Sequence, residues 1–229
     1  MNDRAARCLG LVGGLGVGAT VHYYQQLVKA HAASGCVPNI VMVHADMPRV
    51  LKYAAGGETT ALAGYLGQLI ERMASAGAQI AAIPAVTPHI CAPELVKLSS
   101  IPLVNLIDAI GREALARNFR RVAIFGTRFA TEKKMFGQMP QAEIVIPSTE
   151  EINVIHETYL EMANAGRGTQ EQYERLRSLA FRLIERERLD GIILGGTDLS
   201  LVFNESKTDF PHIDGARVHV DVIMRELLG

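Results

Sequence analysis

Short runs that are apolar at nearly every position recur along this chain, and each leads into a longer amphipathic segment. They fall at residues 8–12, 40–44, 80–84, 103–106, 122–125, 144–146 and 191–194. Strict apolar/polar alternation would mark strands with one wet face; runs lacking it mark strands covered by helices on both sides. The segments between them are long enough for crossover helices, so the repeated strand–helix word predicts an α/β protein with mainly parallel sheets. Helix ends support this: Ser148-x-x-Glu151 and Thr169-x-x-Gln172 are capping boxes, in which hydroxyl and carboxyl or amide satisfy each other's backbone N–H groups. They place helices over 149–164 and 169–188, and the 3.6-residue stripe adds helices over 61–76 and 107–117.

With 229 residues, 48% of them hydrophobic, the chain has ample material for a buried core. Its 23 basic and 24 acidic residues are interspersed and leave a net charge of −1, so no charge block is available to clamp nucleic acid or coat a membrane. The polar start, residues 1–7, and the short apolar run after it do not make a signal or membrane-spanning segment, and a cytoplasmic location is expected. Cys8, Cys36 and Cys91 are odd in number and lack CxxC spacing, which argues for free thiols rather than a disulfide framework or zinc knuckle. Asn204-Glu205-Ser206 fits a glycosylation sequon, a chance match without a secretory signal. The seven histidines are scattered, and no Walker loop, HExxH, nucleophile elbow or metal-spaced cluster occurs, so no metal is predicted.

The loop after the first run, Gly13-Gly14-Leu15-Gly16-Val17-Gly18-Ala19, contains the Gly-x-Gly-x-x-Ala spacing of a dinucleotide-binding turn, with Asp46 at the end of the next strand. The acidic partner of a nucleotide ribose stands roughly 20 residues on, whereas Asp46 lies 30 beyond Gly16. A glycine turn opening a helix also binds any small anion through its N–H groups, or serves as a plain tight turn. Two further loops follow strands: "IPAVTPH", with Thr87 and His89, and "LGGTDLS", with Gly195, Gly196, Thr197 and Asp198. Ligands bind at the carboxyl ends of parallel strands. The threonines are candidate carboxylate donors and His89 a candidate acid/base group near neutral pH; helix caps and packing are the alternatives. In "GTRFAT", Thr127 and Thr131 offer another anion-holding helix start, and Asp214 in "IDGARVH" reads as an N-cap, with His219 beyond it.

Taken together, these segments resemble the aspartate/glutamate racemase family, which includes hydantoin racemases, maleate isomerases and arylmalonate decarboxylases. "LGLVGGLGVGATVHYYQ" is similar to the family's glycine-rich opening with its Thr-x-x-Tyr-Tyr helix. "IPAVTPH" stands at the family's PCNTxH, "FGTRFAT" at GTxxT, "ILGGTDL" at LGCTE, and "HIDGARVH" at FD-[ST]-x-x-x-H. The resemblance implies two similar Rossmann-like α/β lobes related by a pseudo-twofold axis, with a cleft between them for a small carboxylate and no cofactor. It divides the chain into 1–100 plus 208–229 and 101–207, and implies a homodimer. Gly13, Gly14, Thr87, Thr127, Thr131 and Thr197 would hold substrate.

In the family, two thiols flank the substrate α-carbon and exchange its proton. Here those positions are Ala85 and Gly196, and neither a methyl group nor a hydrogen can move a proton. Cys91, six residues past Ala85, is too far along the following helix to substitute. Three functions remain: an isomerase or lyase using His89, Asp198 or Asp46 on a small acid; a non-catalytic carboxylate-binding or regulatory protein; and, behind these, racemisation of aspartate or glutamate itself, for which Ala85→Cys and Gly196→Cys would be needed. The small residues at 85 and 196 are expected to leave room for a larger ligand.

Overall fold

The structure, a computed structural model, describes residues 7–203 and 207–229. The sequon at 204–206 and all but the last residue of the polar start lie outside these. By contact the chain divides into two units: Met1–Leu15, Thr20–Leu106 and His219–Gly229 form the first, and Gly16–Ala19 with Ile107–Val218 the second.

In the first unit β1 (Leu9–Gly13) leads through a glycine turn to α1 (Val17–Ala33), followed by β2 (Ile40–His44), α2 (Met47–Ala55), α3 (Thr59–Ser75), β3 (Ile80–Ala82), a 3-10 turn at Thr87–Cys91, α4 (Ala92–Leu98) and β4 (Leu103–Val104). The strands form a parallel sheet in the order β2-β1-β3-β4. β1 and β3 are buried throughout, and the α3 stripe of Leu62, Leu66, Ile70 and Met73 is buried with them. β2 departs from the expectation of two covered faces: as an edge strand it leaves Met42 44% exposed.

The second unit comprises α5 (Leu106–Ala116, its first residue in the first unit), β5 (Arg121–Phe125), α6 (Arg128–Glu132), β6 (Glu143–Ile144), α7 (Thr149–Ala165), α8 (Gln170–Glu187), β7 (Gly191–Leu194), a 3-10 turn at Thr197–Leu201 and β8 (His212–Asp214), with α9 (Gly215–Leu228) after it. Its four strands are parallel in the order β6-β5-β7-β8. This repeats the order of the first sheet, strand for strand, and each third strand runs into a threonine-headed 3-10 turn. The core joins Phe125 and Ile192 of the sheet to Ile155, Tyr159 and Met162 of α7 and Leu176, Leu179 and Leu183 of α8.

β8 lies outside the apolar runs, because His212 and Asp214 flank a single buried Ile213. Its pairing with β7 keeps residues 212–214 in the second sheet, whereas the sequence reading assigned everything from 208 onward to the first unit. The chain returns to the first unit only at His219, inside α9. Both capping boxes form, Ser148 with Glu151 and Thr169 with Gln172. Ser148→Ala is expected to cost about 1 kcal/mol, read as a lowered urea midpoint with an unchanged m-value.

Candidate functional site

The glycine turn after β1 is shaped by what it touches. Gly14 has φ +85, and a Cβ there would meet the His44 ring at 2.7 Å, so only glycine fits. Its N–H donates to Thr20 Oγ1 at 3.2 Å, while a Cβ on Gly13 would meet Thr20 and Met42 at 3.0 and 3.1 Å. Both glycines are buried, which fits bare backbone in a crowded place better than an open anion cradle. Asp46 caps α2, accepting from the Arg49 N–H at 3.1 Å. The Arg49 guanidinium lies 4.3 Å from the Tyr65 ring centroid. Sequence reading passed over Arg49, a cation just past the end of β2; nothing local sets it apart from other surface arginines.

After β3 the backbone from Pro84 to Val86 is buried, Ala85 included, and Thr87 is half-buried. His89, in the 3-10 turn, is 1% exposed. Its Nε2 accepts from the Leu106 N–H at 3.2 Å, and its Nδ1 donates to Ala85 O at 2.8 Å. These partners fix one neutral tautomer. Burial is the main cause holding its pKa down at about 4. His219 is equally enclosed: Nε2 donates to Val104 O at 2.9 Å and Nδ1 accepts from the Tyr23 hydroxyl at 3.1 Å. Burial first, then His89, lowers its pKa to about 3. Both imidazoles thus stitch loops together. Cys91 donates to Pro88 O and is buried, its thiol pushed up to about 12 chiefly by burial, so it cannot supply a thiolate at neutral pH.

In the second unit the N–H groups of Gly195 and Gly196 both donate to Phe125 O, at 2.8 and 2.9 Å. This presses the β7 loop onto the end of β5: a Cβ on Gly126 would meet Gly196 N at 2.9 Å. Thr127 caps α6, its hydroxyl oxygen accepting from the Ala130 N–H and so keeping its proton to donate. Thr131 is 1% exposed, and its hydroxyl faces Ile124 O and Thr127 O at 3.3 and 3.2 Å. That makes Thr131 a structural brace rather than an exposed donor. Arg128, beside Thr127, contacts Glu132 and Asn153.

Asp198 and Thr197 are buried. Asp198 Oδ1 accepts from the Ala19 N–H at 2.8 Å, and Oδ2 from the Tyr159 hydroxyl at 3.2 Å. Thr197 also hydrogen-bonds Tyr159 through its side chain. The carboxylate at the first turn of α1 is therefore the protein's own, in a place favoured by free N–H groups and the helix dipole. A Cβ on Gly18 would come within 2.7 Å of Asp198 Oδ1, and one on Gly16 within 3.1 Å of Oδ2. Burial, and then the Asp198 charge, push the Tyr159 phenol far above its ordinary range and keep it protonated. Position 196 is not open space. A Cβ there would lie 2.4 and 2.7 Å from ring carbons of Tyr159, which corrects the expectation of extra room at Gly196. Tyr159 was illegible as a site residue because in sequence it is one more apolar position on the stripe of α7. Among the described residues no group of three or more His, Cys, Asp and Glu side chains is placed to hold a metal, and no helix is long and apolar enough to cross a membrane.

Two like-ordered parallel sheets, each ending in threonine-bearing loops at the carboxyl ends of its strands, define a duplicated α/β protein of the kind that binds small molecules there. The sequence model of the Asp/Glu/hydantoin racemase family matches residues 12–223, and the chain belongs to that family. An aspartate racemase homologue from Pyrococcus horikoshii OT3 superposes with a TM-score of 0.81 at 24% identity, covering 97% of this chain and 99% of the other. Aspartate racemase from Picrophilus torridus gives 0.74 at 18%, covering 96% and 94%. Glutamate racemase from Francisella tularensis subsp. tularensis SCHU S4, solved with D-glutamate, gives 0.65 at 14%, covering 97% and 81%. Likeness at these identities establishes the fold.

The buried histidines dictate a pH response. Their folded pKa values, about 4 for His89 and about 3 for His219, lie below the ordinary 6.5, so between those limits the unfolded chain binds more protons. Their stabilising contribution is complete above pH 6.5 and is lost as pH falls toward the folded values. Urea unfolding is expected to show stability dropping from pH 6.5 to 4 by up to about 1.4 kcal/mol per pH unit for each histidine. His89→Leu should reduce that slope by one proton.

Proposed function

We propose that this protein binds a small carboxylate, dicarboxylic or amino-dicarboxylic, without a cofactor and without exchanging the α-proton of its ligand between two bases. One observation carries the reading. The acid/base candidates of the strand-end loops and the start of α9 that are buried, His89, Asp198 and His219, each have both polar side-chain atoms in internal hydrogen bonds; buried His31 lies apart from them, in the last turn of α1, bonded to Leu27 O. Ala85 and Gly196, which the family resemblance sets beside the reacting carbon, have no group to replace them. Binding groups remain at the strand ends: the Thr87 hydroxyl and Arg49 in the first unit, and the Thr127 hydroxyl and Arg128 in the second. Hydroxyl and guanidinium donors suit a carboxylate, and D-glutamate is the ligand of one structural relative.

A second reading keeps catalysis, as an isomerase or lyase with one acid/base group. It is favoured by Asp46, exposed at the end of β2 with one carboxylate oxygen engaged in capping. A thermal-shift series with succinate, aspartate and glutamate, run beside incubation of each acid in deuterated water, separates the two. The binding reading expects a raised melting temperature, no deuterium at the α-carbon and no change in ligand mass. Arg49→Ala should weaken binding about tenfold, in keeping with loss of one charge-assisted hydrogen bond. Exchange or turnover that disappears in Asp46→Asn would establish the second reading instead, and absence of any shift with any acid would end the first.

A further inference from the structure

We propose that Tyr159 determines which acids this protein admits: its ring takes the volume beside Gly196, so the ligand carbon facing that position carries nothing larger than hydrogen. The inference rests on the carboxylate reading above and goes further, naming the ligand class as unbranched small acids of the succinate type. Its basis is steric. The space a side chain at 196 would enter is bounded on one side by Tyr159 Cε2 and Cδ2, 2.4 and 2.7 Å from an ideal Cβ, and on another by Gly126 Cα at 3.0 Å.

Neither wall yields easily. Gly126 is held because Phe125 O accepts from both Gly195 and Gly196. Tyr159 is held at both ends, its hydroxyl donating to Asp198 Oδ2 and its ring packed in the core with Met162, Leu199 and Phe203. Asp198 is itself fixed by the Ala19 N–H. With Tyr159 only 9% exposed, swinging the ring aside would break its hydrogen bond to Asp198 and open a void, both costly. Gly196 and Tyr159 are thus a matched pair, the absent side chain on one strand end answered by a large one on the neighbouring helix. A substituent on the ligand would meet the same ring that excludes a side chain at 196.

The test compares succinate with 2-phenylsuccinate by calorimetry and thermal shift on the wild type, Tyr159→Phe and Tyr159→Leu. Phenylalanine keeps the ring and removes the hydroxyl; leucine removes both and opens a void beside Gly196, at a cost in stability that the thermal shift also reads. The wild type and Tyr159→Phe should bind succinate and reject phenylsuccinate, and Tyr159→Leu should bind phenylsuccinate at least tenfold more tightly than the wild type does. A Tyr159→Leu protein that binds succinate but still rejects phenylsuccinate overturns this inference and leaves the carboxylate reading standing. If neither acid binds any of the three proteins, the carboxylate reading falls and takes the inference with it. A second arm needs no ligand: Gly196→Cys should lower the melting temperature by roughly 3–10 °C in the wild type, as overpacking does, and by less than half of that in Tyr159→Leu. An equal drop in both backgrounds would overturn the steric basis.

Discussion

The Asp198 carboxylate is the point on which the second unit's strand-end architecture turns. It accepts from the Ala19 N–H and from the Tyr159 hydroxyl, and hydrogen bonds to a charged group are each worth about 1.5–3 kcal/mol when formed in the interior. Much follows from those two bonds. They draw Gly16–Ala19 into the second unit, although the rest of α1 clusters with the first. They hold the carboxylate oxygens where a Cβ would come within 2.7 Å at residue 18 and 3.1 Å at residue 16, and they anchor the phenol whose ring lies over Gly196. The glycine-rich turn that resembles a nucleotide cradle has thus been filled from within.

Membership in a racemase family accounts for the fold of this chain, while the proposed reading of its chemistry rests on its own residues. The strand order and the threonine-headed turns after β3 and β7 repeat from one sheet to the other, and in parallel α/β folds the carboxyl ends of the strands are where ligands bind. The proton-moving apparatus is another matter. Where an acid/base pair would have to be poised near neutrality, His89 and His219 are kept neutral by burial, which outweighs the carbonyl hydrogen bonds that favour their charged forms. Their hydrogen bonds contribute to holding the loops in place, and that role is incompatible with cycling through a charged state. His89 protonated at Nε2 would point a proton at the Leu106 N–H that now donates to it.

The alternation of apolar runs with amphipathic segments made the parallel sheets readable, because central strands such as β1, β3, β5 and β7 are covered on both faces and their composition says so. The same logic misses β8, whose only buried residue is Ile213; its membership in the sheet is fixed by pairing with β7, a long-range fact. Helix starts were legible where a cap is local, as at Ser148 and Thr169. The site was legible only in outline. The loops could be named from their glycines and threonines, but Thr131 facing carbonyls, His89 enclosed and Asp198 serving as an internal anion are outcomes of packing. Tyr159 stands 37 positions before the glycine whose space it fills, and no spacing rule connects a helix residue to a strand end at that separation.

The bridging of Ala85 to Leu106 by His89 has a further consequence, for entropy. A free loop that must be ordered when a ligand arrives subtracts from the affinity, at about 0.5–1.5 kcal/mol for each side chain immobilised and about 1–2 kcal/mol for each residue's backbone. The backbone from Pro84 to Val86 is buried, and His89 holds its carbonyl at Ala85 while receiving the N–H that opens α5. Ordering of this segment is completed during folding. A ligand meeting Thr87 would therefore encounter a preorganised surface, and its affinity would depend on the contacts made there rather than on the disorder removed.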